Sequence, residues 1–282
     1  MDNSQLQTYK DCPFRYRLQY LEGYAKREEG AVEHDRQFGA ALHAGLKCHY
    51  LGQSIEQTVA AFHAAYPAQL DEHDLAKTPE HGERLLREYM AWAGPQDHQF
   101  EVLAVEQVKE FEIAPGVCFT VKHDLIVRSR QTHEVYGVDH KSTKKALLPE
   151  YWVQFDPSSQ VDANCYSIQH KYGQCSGFYI NALSLGYRKR AYRGEEAGFH
   201  WEFQRQLFNR TAGQLEAWKR ETIQWIRQMD KAAEEKQWLH NLSGCRFCSY
   251  RPICMAGWTP ETDREQIEVL FEPRDPLAYL TP

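Results

Sequence analysis

The hydrophobic pattern falls into two regimes. Over the first hundred residues apolar positions recur at helical spacing. Beyond Pro95 alternation sets in, and strands and helices then take turns. Residues 4–21 predict a helix with Ser4 as N-cap, Leu6, Tyr9, Phe14, Leu18 and Leu21 as its apolar side, and an interruption at Pro13. Further helices are expected over 36–51, which carries His43, and over 54–66 and 80–93, with a polar loop between the last two. Strands follow at 99–113, 117–128 and 133–141, the first two joined by a turn at Pro115-Gly116. A helix at 158–172, strands at 175–187 and 197–208, and a long helix at 211–240 capped by Thr211 complete the series. This order predicts the α/β class: a mixed sheet flanked by helices, without internal repeats or low-complexity linkers.

Two strands carry chemistry. The second contains VKHDLIV, with Asp124 beside an apolar run, and the third contains VDHK, with Asp139 and Lys141 two residues apart. Period two puts Asp139 and Lys141 on one face and His140 on the other. If the strands pair as a hairpin, Asp124 can approach Asp139. Converging carboxylates in an apolar strand repel and need a cation. A neighbouring lysine can hold a water and stabilise developing charge. The set suits Mg²⁺- or Mn²⁺-assisted attack on a phosphodiester, whereas a bare D-x-K is also a common surface salt bridge. Glu106, on the preceding strand, could back the metal site or face solvent.

Composition narrows the setting. The chain has 282 residues, 42% hydrophobic and 26% charged, enough for one large domain or two small ones. No stretch approaches the roughly 18 consecutive apolar residues of a membrane span, and the polar opening MDNSQLQTYKDCPFRY does not read as a secretory signal. Eight cysteines in such a chain point to a reduced compartment, the cytoplasm, and to metal ligation rather than disulfides. Cys245, Cys248 and Cys254 form C-x2-C-x5-C, with Cys12 the candidate fourth ligand; spacing alone does not separate zinc from an iron–sulfur cluster. Cys48, Cys118, Cys165 and Cys175 sit in apolar patterns and read as core thiols.

Net charge is −6, which argues against a protein that coats nucleic acid. Yet the last 24 residues, from Thr259, hold six acids and two bases and so contribute −4 of that total, leaving −2 for the rest. This stretch reads as an acidic, surface-wrapping tail. A substrate gripped locally at a metal-filled cleft remains compatible with the charge.

Together these motifs resemble the PD-(D/E)XK nuclease superfamily, and more narrowly the RecB-type iron–sulfur exonucleases, including the CRISPR-associated adaptation exonucleases and the AddB nuclease domain. SQLQTYKDCPFRYRLQYL is similar to the family's opening segment, with Cys12 as first cluster cysteine. FGAALH resembles the G-x3-H motif, giving Gly39 and His43. VKHDLIV, VDHK and the C-terminal cysteines follow in the family's order. Gln160 matches the glutamine of Q-x3-Y, but Asn164 stands at the tyrosine position, with Tyr166 two residues further on.

The resemblance covers roughly residues 1–258 and implies a single restriction-endonuclease-like nuclease domain followed by the tail at 259–282. Residues 36–95 would form a helical insertion carrying the motif histidine. Segments 1–21 and 241–258 would be joined by a [4Fe–4S] cluster on Cys12, Cys245, Cys248 and Cys254. It implies Mg²⁺ or Mn²⁺ bound by His43, Asp124, Asp139 and the His140 carbonyl, with Asp124, Asp139, Lys141 and Gln160 catalytic. The imidazole ligand favours Mn²⁺. The implied activity is a DNA exonuclease working on single-stranded ends, as a homo-oligomer or with recombination or CRISPR partner proteins, and without a membrane. Lys144, Lys145, Arg188, Lys189, Arg190 and Tyr166 are candidate DNA contacts, and the basic run Tyr187–Arg193 could track a backbone while its tyrosines stack bases. Two rival readings are a non-catalytic DNA-binding or assembly subunit on the same scaffold and a zinc-containing interaction protein. The joint presence of Asp124, Asp139 and Lys141 favours the nuclease.

Overall fold

The computed structural model describes residues 1–27, 34–66, 75–191 and 196–278. In chain order these form α1 (Asn3–Asp11), α2 (Pro13–Tyr16), a π-helical turn (Arg17–Leu21), β1 (Tyr24–Lys26), α3 (His34–Tyr50), α4 (Ile55–Ala65) and α5 (Pro79–Asp97). Then come β2 (Phe100–Ala114), β3 (Val117–Ser129), β4 (Val135–Thr143), α6 (Pro149–Trp152), α7 (Ser159–Tyr172), β5 (Gly177–Arg188) and β6 (Gly198–Phe208). The chain continues as α8 (Ala212–Glu235), a 3-10 turn (Leu242–Phe247), α9 (Arg251–Ala256), α10 (Arg264–Leu270) and β7 (Phe271–Pro273). It divides into two compact units: residues 31–109 with 122–215, and residues 1–30 with 110–121 and 216–282.

The larger unit holds the mixed sheet expected from the sequence. Strand order is β2-β3-β4-β5-β6. β3 and β4 pair antiparallel, β4 and β5 parallel, and β5 and β6 antiparallel. A parallel pair needs a crossover, and α7 supplies it between β4 and β5. Alternation sorts the side chains of β5. Phe178, Ile180 and Ala182 join a core with Val161, Cys165 and Ile168 of α7. Leu183 and Leu185 join a second core with Phe38, Leu42 and Leu46 of α3 and Leu85, Leu86 and Tyr89 of α5. Ser158 caps α7 by accepting the Val161 N–H at 3.4 Å, and Gly173 closes it in the left-handed conformation.

Helix α5 runs four residues further than its pattern predicts, past Pro95 to Asp97. The proline sits in the last turn, where few hydrogen bonds remain to be lost, and the His98 N–H still reaches Gly94 O at 3.2 Å.

The smaller unit is built around Phe14, Leu18, Tyr24, Tyr250, Ile253, Ile267 and Phe271. Strands β1 and β7 form a two-stranded antiparallel sheet. The C-terminal stretch is thus more than a wrapping: its acids lie mostly at the surface, but Ile267 and Phe271 are fully buried, and Phe271 stacks on Tyr250 at 5.3 Å. The first helix is capped by Asp2 rather than Ser4, because the Asp2 carboxylate accepts the Ser4 and Gln5 N–H groups at 2.7 and 3.0 Å. Pro13 divides the predicted helix as expected. The long helix stops at Glu235, five residues early. Lys236 turns to φ 54°, and Trp238 and His240 peel away to pack on Tyr16 and Phe14. Cys118 is exposed rather than core, since period two gives the inward face of its strand to Phe119 and Val121; Cys165 is buried, and Cys48 and Cys175 are half-buried. No helix among the described residues is long and apolar enough to cross a membrane.

Candidate functional site

Five elements of the larger unit converge on one group of polar side chains. Val138 of β4 pairs with Leu125 of β3, so Asp124 lies next along that register, beside Asp139. Its Oδ2 accepts the His140 backbone N–H at 2.8 Å. His43, from α3, places Nδ1 3.5 Å from Asp124 Oδ2 and 3.4 Å from Glu106 Oε1, while its Nε2 stands 3.0 Å from the His140 carbonyl oxygen. Glu106 also holds Lys122 Nζ at 2.9 Å. On the same face of β4, Lys141 Nζ lies 2.7 Å from Asp139 Oδ2, and Gln160 of α7 donates to Asp139 Oδ1 at 3.2 Å. Asn164, one turn along α7, donates to the Gln160 carbonyl at 2.8 Å.

Among the described residues, His43, Glu106 and Asp124 form the one group of three with donor atoms all within 4.8 Å of one another. Asp139 lies outside that group, held by Lys141 and Gln160. Glu106 adopts φ 48°, a left-handed backbone that a non-glycine residue rarely takes inside a strand. Such outliers cluster at functional sites. The sequence made Glu106 only a reserve, because a local backbone reversal leaves no mark on period-two alternation. Lys122 went unremarked, although it shares a strand face with Asp124 by the same alternation.

The charges compensate one another. Burial would depress the His43 imidazole, but Asp124, Glu106 and Asp139 outweigh it and raise it to about 9. Burial lifts the Asp124 carboxyl to about 6 against the pull of His43 and Lys141. Burial also pushes Glu106 up, but hydrogen bonds from His43 and Lys122 carry it below its ordinary value. Lys141 is raised: the acids Asp139 and Asp124 overcome its desolvation. The His140 imidazole is held neutral, driven well below its ordinary value by burial and then by His43 and Arg205.

The smaller unit holds a second cluster. Cys12 sits at the break between α1 and α2, Cys245 in the 3-10 turn, Cys248 just after it and Cys254 in α9. All four line one cavity of about 210 Å³, together with Lys10, Arg15 and Arg251. Cys254 is raised to about 11, by burial first and then by the other three thiols.

The candidate DNA contacts are more dispersed. Lys144 pairs with Asp35 at 3.1 Å, and Lys145, Lys189 and Arg190 are exposed. Arg188 is half-buried at the end of β5. Tyr166 packs against the α7-side core, on a different face of α7 from Gln160 and Asn164. Tyr192 and Arg193 lie outside the described residues.

Comparison with known proteins adds three findings. A family model of the PD-(D/E)XK nuclease superfamily matches residues 3–255. The crystal structure of a candidate exonuclease from Eubacterium rectale is 12% identical and covers 88% of this chain and 85% of its own, with a TM-score of 0.50, a likeness of fold. An alkaline exonuclease from Laribacter hongkongensis is 10% identical over 72% of this chain and 95% of its own, with a TM-score of 0.33. No curated protein sequence matches significantly.

Proposed function

The chain belongs to the PD-(D/E)XK nuclease superfamily, and from that premise we propose a divalent-metal-dependent DNA exonuclease of the RecB-type iron–sulfur group, acting on single-stranded ends. The observation that carries this reading is the gathering of His43, Glu106 and Asp124 within 4.8 Å beside the Asp139–Lys141 pair.

The donors fit Mg²⁺ or Mn²⁺. His43 Nδ1 stands 3.4 Å from Glu106 Oε1 and 3.5 Å from Asp124 Oδ2. Neighbouring donors of an octahedral ion with bonds of about 2.1 Å are separated by about 3.0 Å, so small side-chain shifts bring this set into range. With Asp124, Asp139 and Glu106 as carboxylate donors and one imidazole, the set leans towards Mn²⁺. When bound, the ion lowers the pKa of water and neutralises phosphoryl oxygens. The chain's own groups do the rest. Lys141, fixed by Asp139, orients the attacking water and stabilises charge growing on the phosphate. Gln160 fixes Asp139, and the His140 N–H fixes Asp124.

The cysteines would hold a [4Fe–4S] cluster. Tetrahedral zinc with Zn–S bonds of about 2.3 Å needs sulfurs roughly 3.8 Å apart. The cavity of about 210 Å³ that the four thiols share has room for a larger, polynuclear group. Lys10, Arg15 and Arg251 would offset its negative charge. Free cysteines throughout suit the cytoplasm. Residues 1–258 would then form one nuclease domain, with 36–95 its helical insertion.

The test is a timed digestion of end-labelled single- and double-stranded DNA with Mn²⁺, Mg²⁺ or chelator. Metal-dependent shortening of the single strand from its ends is expected. Intact substrate with both ions, or cleavage of closed circles alone, overturns the reading. Protein purified without oxygen should be brown; a colourless protein with stoichiometric zinc refutes the cluster.

A further inference from the structure

The face of the sheet opposite Asp139 and Lys141 carries a buried polar ring that the proposed chemistry does not use. Strand register sets it up. His140 is the cross-strand partner of Asn181, and Asn181 is the partner of Arg205, so the three form one row across β4, β5 and β6. They point towards α3 and α5, on the side of Leu183 and Leu185.

The hydrogen bonds close a ring. Arg205 Nη1 donates to Asp97 Oδ1 at 2.7 Å, and Arg205 Nε donates to Asn181 Oδ1 at 3.1 Å. Tyr50 donates to Asp97 Oδ2 at 2.9 Å, the Tyr50 and Tyr89 hydroxyls meet at 2.7 Å, and Asn181 Nδ2 donates to Tyr89. Directions are forced, because a guanidinium only donates and a carboxylate only accepts. The Tyr50 proton goes to Asp97, so the Tyr89 proton goes to Tyr50, and Asn181 must donate to Tyr89. The second N–H of Asn181 then faces His140 Nδ1 at 3.1 Å. His140 therefore carries its proton on Nε2. Tyr50 also stacks on the imidazole at 5.4 Å and 21°.

His140 is where this ring meets the candidate metal site. Its backbone N–H holds Asp124 and its carbonyl faces His43. Asn181 and Tyr89 are fully buried, and the Arg205 side chain is 8% exposed. A core built for stability alone gains little from burying an ion pair, an amide and two phenols. This one also leaves His140 Nε2 without a hydrogen-bond partner among the described residues.

We propose that Asn181, oriented by Arg205 and Asp97, is a positioning residue for the metal site, locking the His140 ring so that its peptide presents Asp124 and His43 in ligating geometry. The proposal rests on the metal-dependent reading above. Outer partners of this kind are worth about 10- to 100-fold in metal affinity.

The test is Mn²⁺ titration of the full-length, DNA-free protein by electron paramagnetic resonance, with thermal stability measured alongside. Asn181→Leu and Asn181→Ala, neither of which can hydrogen-bond Nδ1, should weaken Mn²⁺ binding by about 10- to 100-fold. Tyr50→Phe breaks the ring but keeps the stack and the Arg205–Asn181–His140 line. It should bind Mn²⁺ within about threefold of wild type while losing stability. Equal Mn²⁺ affinity in wild type and both Asn181 variants overturns the proposal and leaves the nuclease reading standing. So does an affinity loss that tracks stability across all three variants. A wild type that takes up no Mn²⁺ fells the metal site itself, and this inference with it. Should the variants not fold, two-bond ¹⁵N–¹H correlation on the wild type still decides: the Nε2–H form of His140 is expected, and the Nδ1–H form overturns the ring's polarity.

Discussion

The two polar clusters are built on opposite principles. The group around Asp124 and Asp139 rests on paired strands and meets its own charges: three carboxylates, Glu106, Asp124 and Asp139, face His43, Lys122 and Lys141. It is complete before any ion arrives. The cysteine group rests on a 3-10 turn, a six-residue helix and a break between two helices. Its thiols find little beyond long sulfur contacts to backbone carbonyls, 4.0 Å for Cys12 to Leu239 and 3.8 Å for Cys245 to Asn241. One site is held by regular structure; under the proposed reading the other would be held together by its cluster. Losing a group should therefore cost activity in the first and folding in the second.

The largest effect should come at the first site. Lys141→Ala or Asp139→Ala should lower kcat on single-stranded DNA by about 10³-fold or more. Melting temperature should stay within a few degrees, since Lys141 is partly open to water and the buried Asp139 faces a second carboxylate, Asp124, whose repulsion its loss relieves; residual full-rate cleavage in both variants would disprove the assignment. Under the proposed cluster reading Cys248→Ala should do the reverse, bleaching the protein and lowering its melting temperature by roughly 10 °C.

A third test uses acid. His123, in β3, is 2% exposed and bonds Ser167 at 3.1 Å. Burial, then Lys171, depresses it to about 4, against 6.5 when unfolded. A depressed base contributes stability that is complete above pH 6.5 and is lost as pH falls through 4, about 3 kcal/mol in all. Asp124 works the other way: raised to about 6, it disfavours the fold once ionised, so falling pH relieves that cost. The two nearly offset, so the wild-type urea midpoint should change little between pH 7 and 4, and His123→Gln, left with the Asp124 contribution, should make it rise. A variant midpoint as flat as that of wild type would exclude the His123 contribution. The smallest effect should be Glu106→Gln, which should weaken Mn²⁺ binding about tenfold with KM for DNA unchanged, as binding titrations would show.

What the sequence revealed of the first site is what alternation and register encode. Asp124, Asp139 and Lys141 share a face because a strand has period two, and hairpin pairing does the rest. What it hid depends on departures from regularity. Glu106 turns inward through a left-handed backbone. Asp97 joins the ring only because α5 runs on through Pro95, where a proline normally signals an end. The early stop of α8 at Glu235 was hidden for a similar reason: residues 236–240 have good helical composition, but contacts with Phe14 and Tyr16 outweigh it. The buried Ile267 and Phe271 were masked by the acids around them.

The smaller unit draws on three separated stretches, 1–30, 110–121 and 216–282, whereas the larger lies within 31–215. On the ribosome this fixes an order of events. The sheet can close as soon as residue 215 has emerged, but Cys12 must wait for Cys245, Cys248 and Cys254, which are made long afterwards. For most of synthesis Cys12 exists without the three thiols it shares a cavity with. If the proposed cluster binds there, its loading would be the last step of maturation, and a cell short of it would accumulate chains whose sheet is finished and whose smaller unit is not.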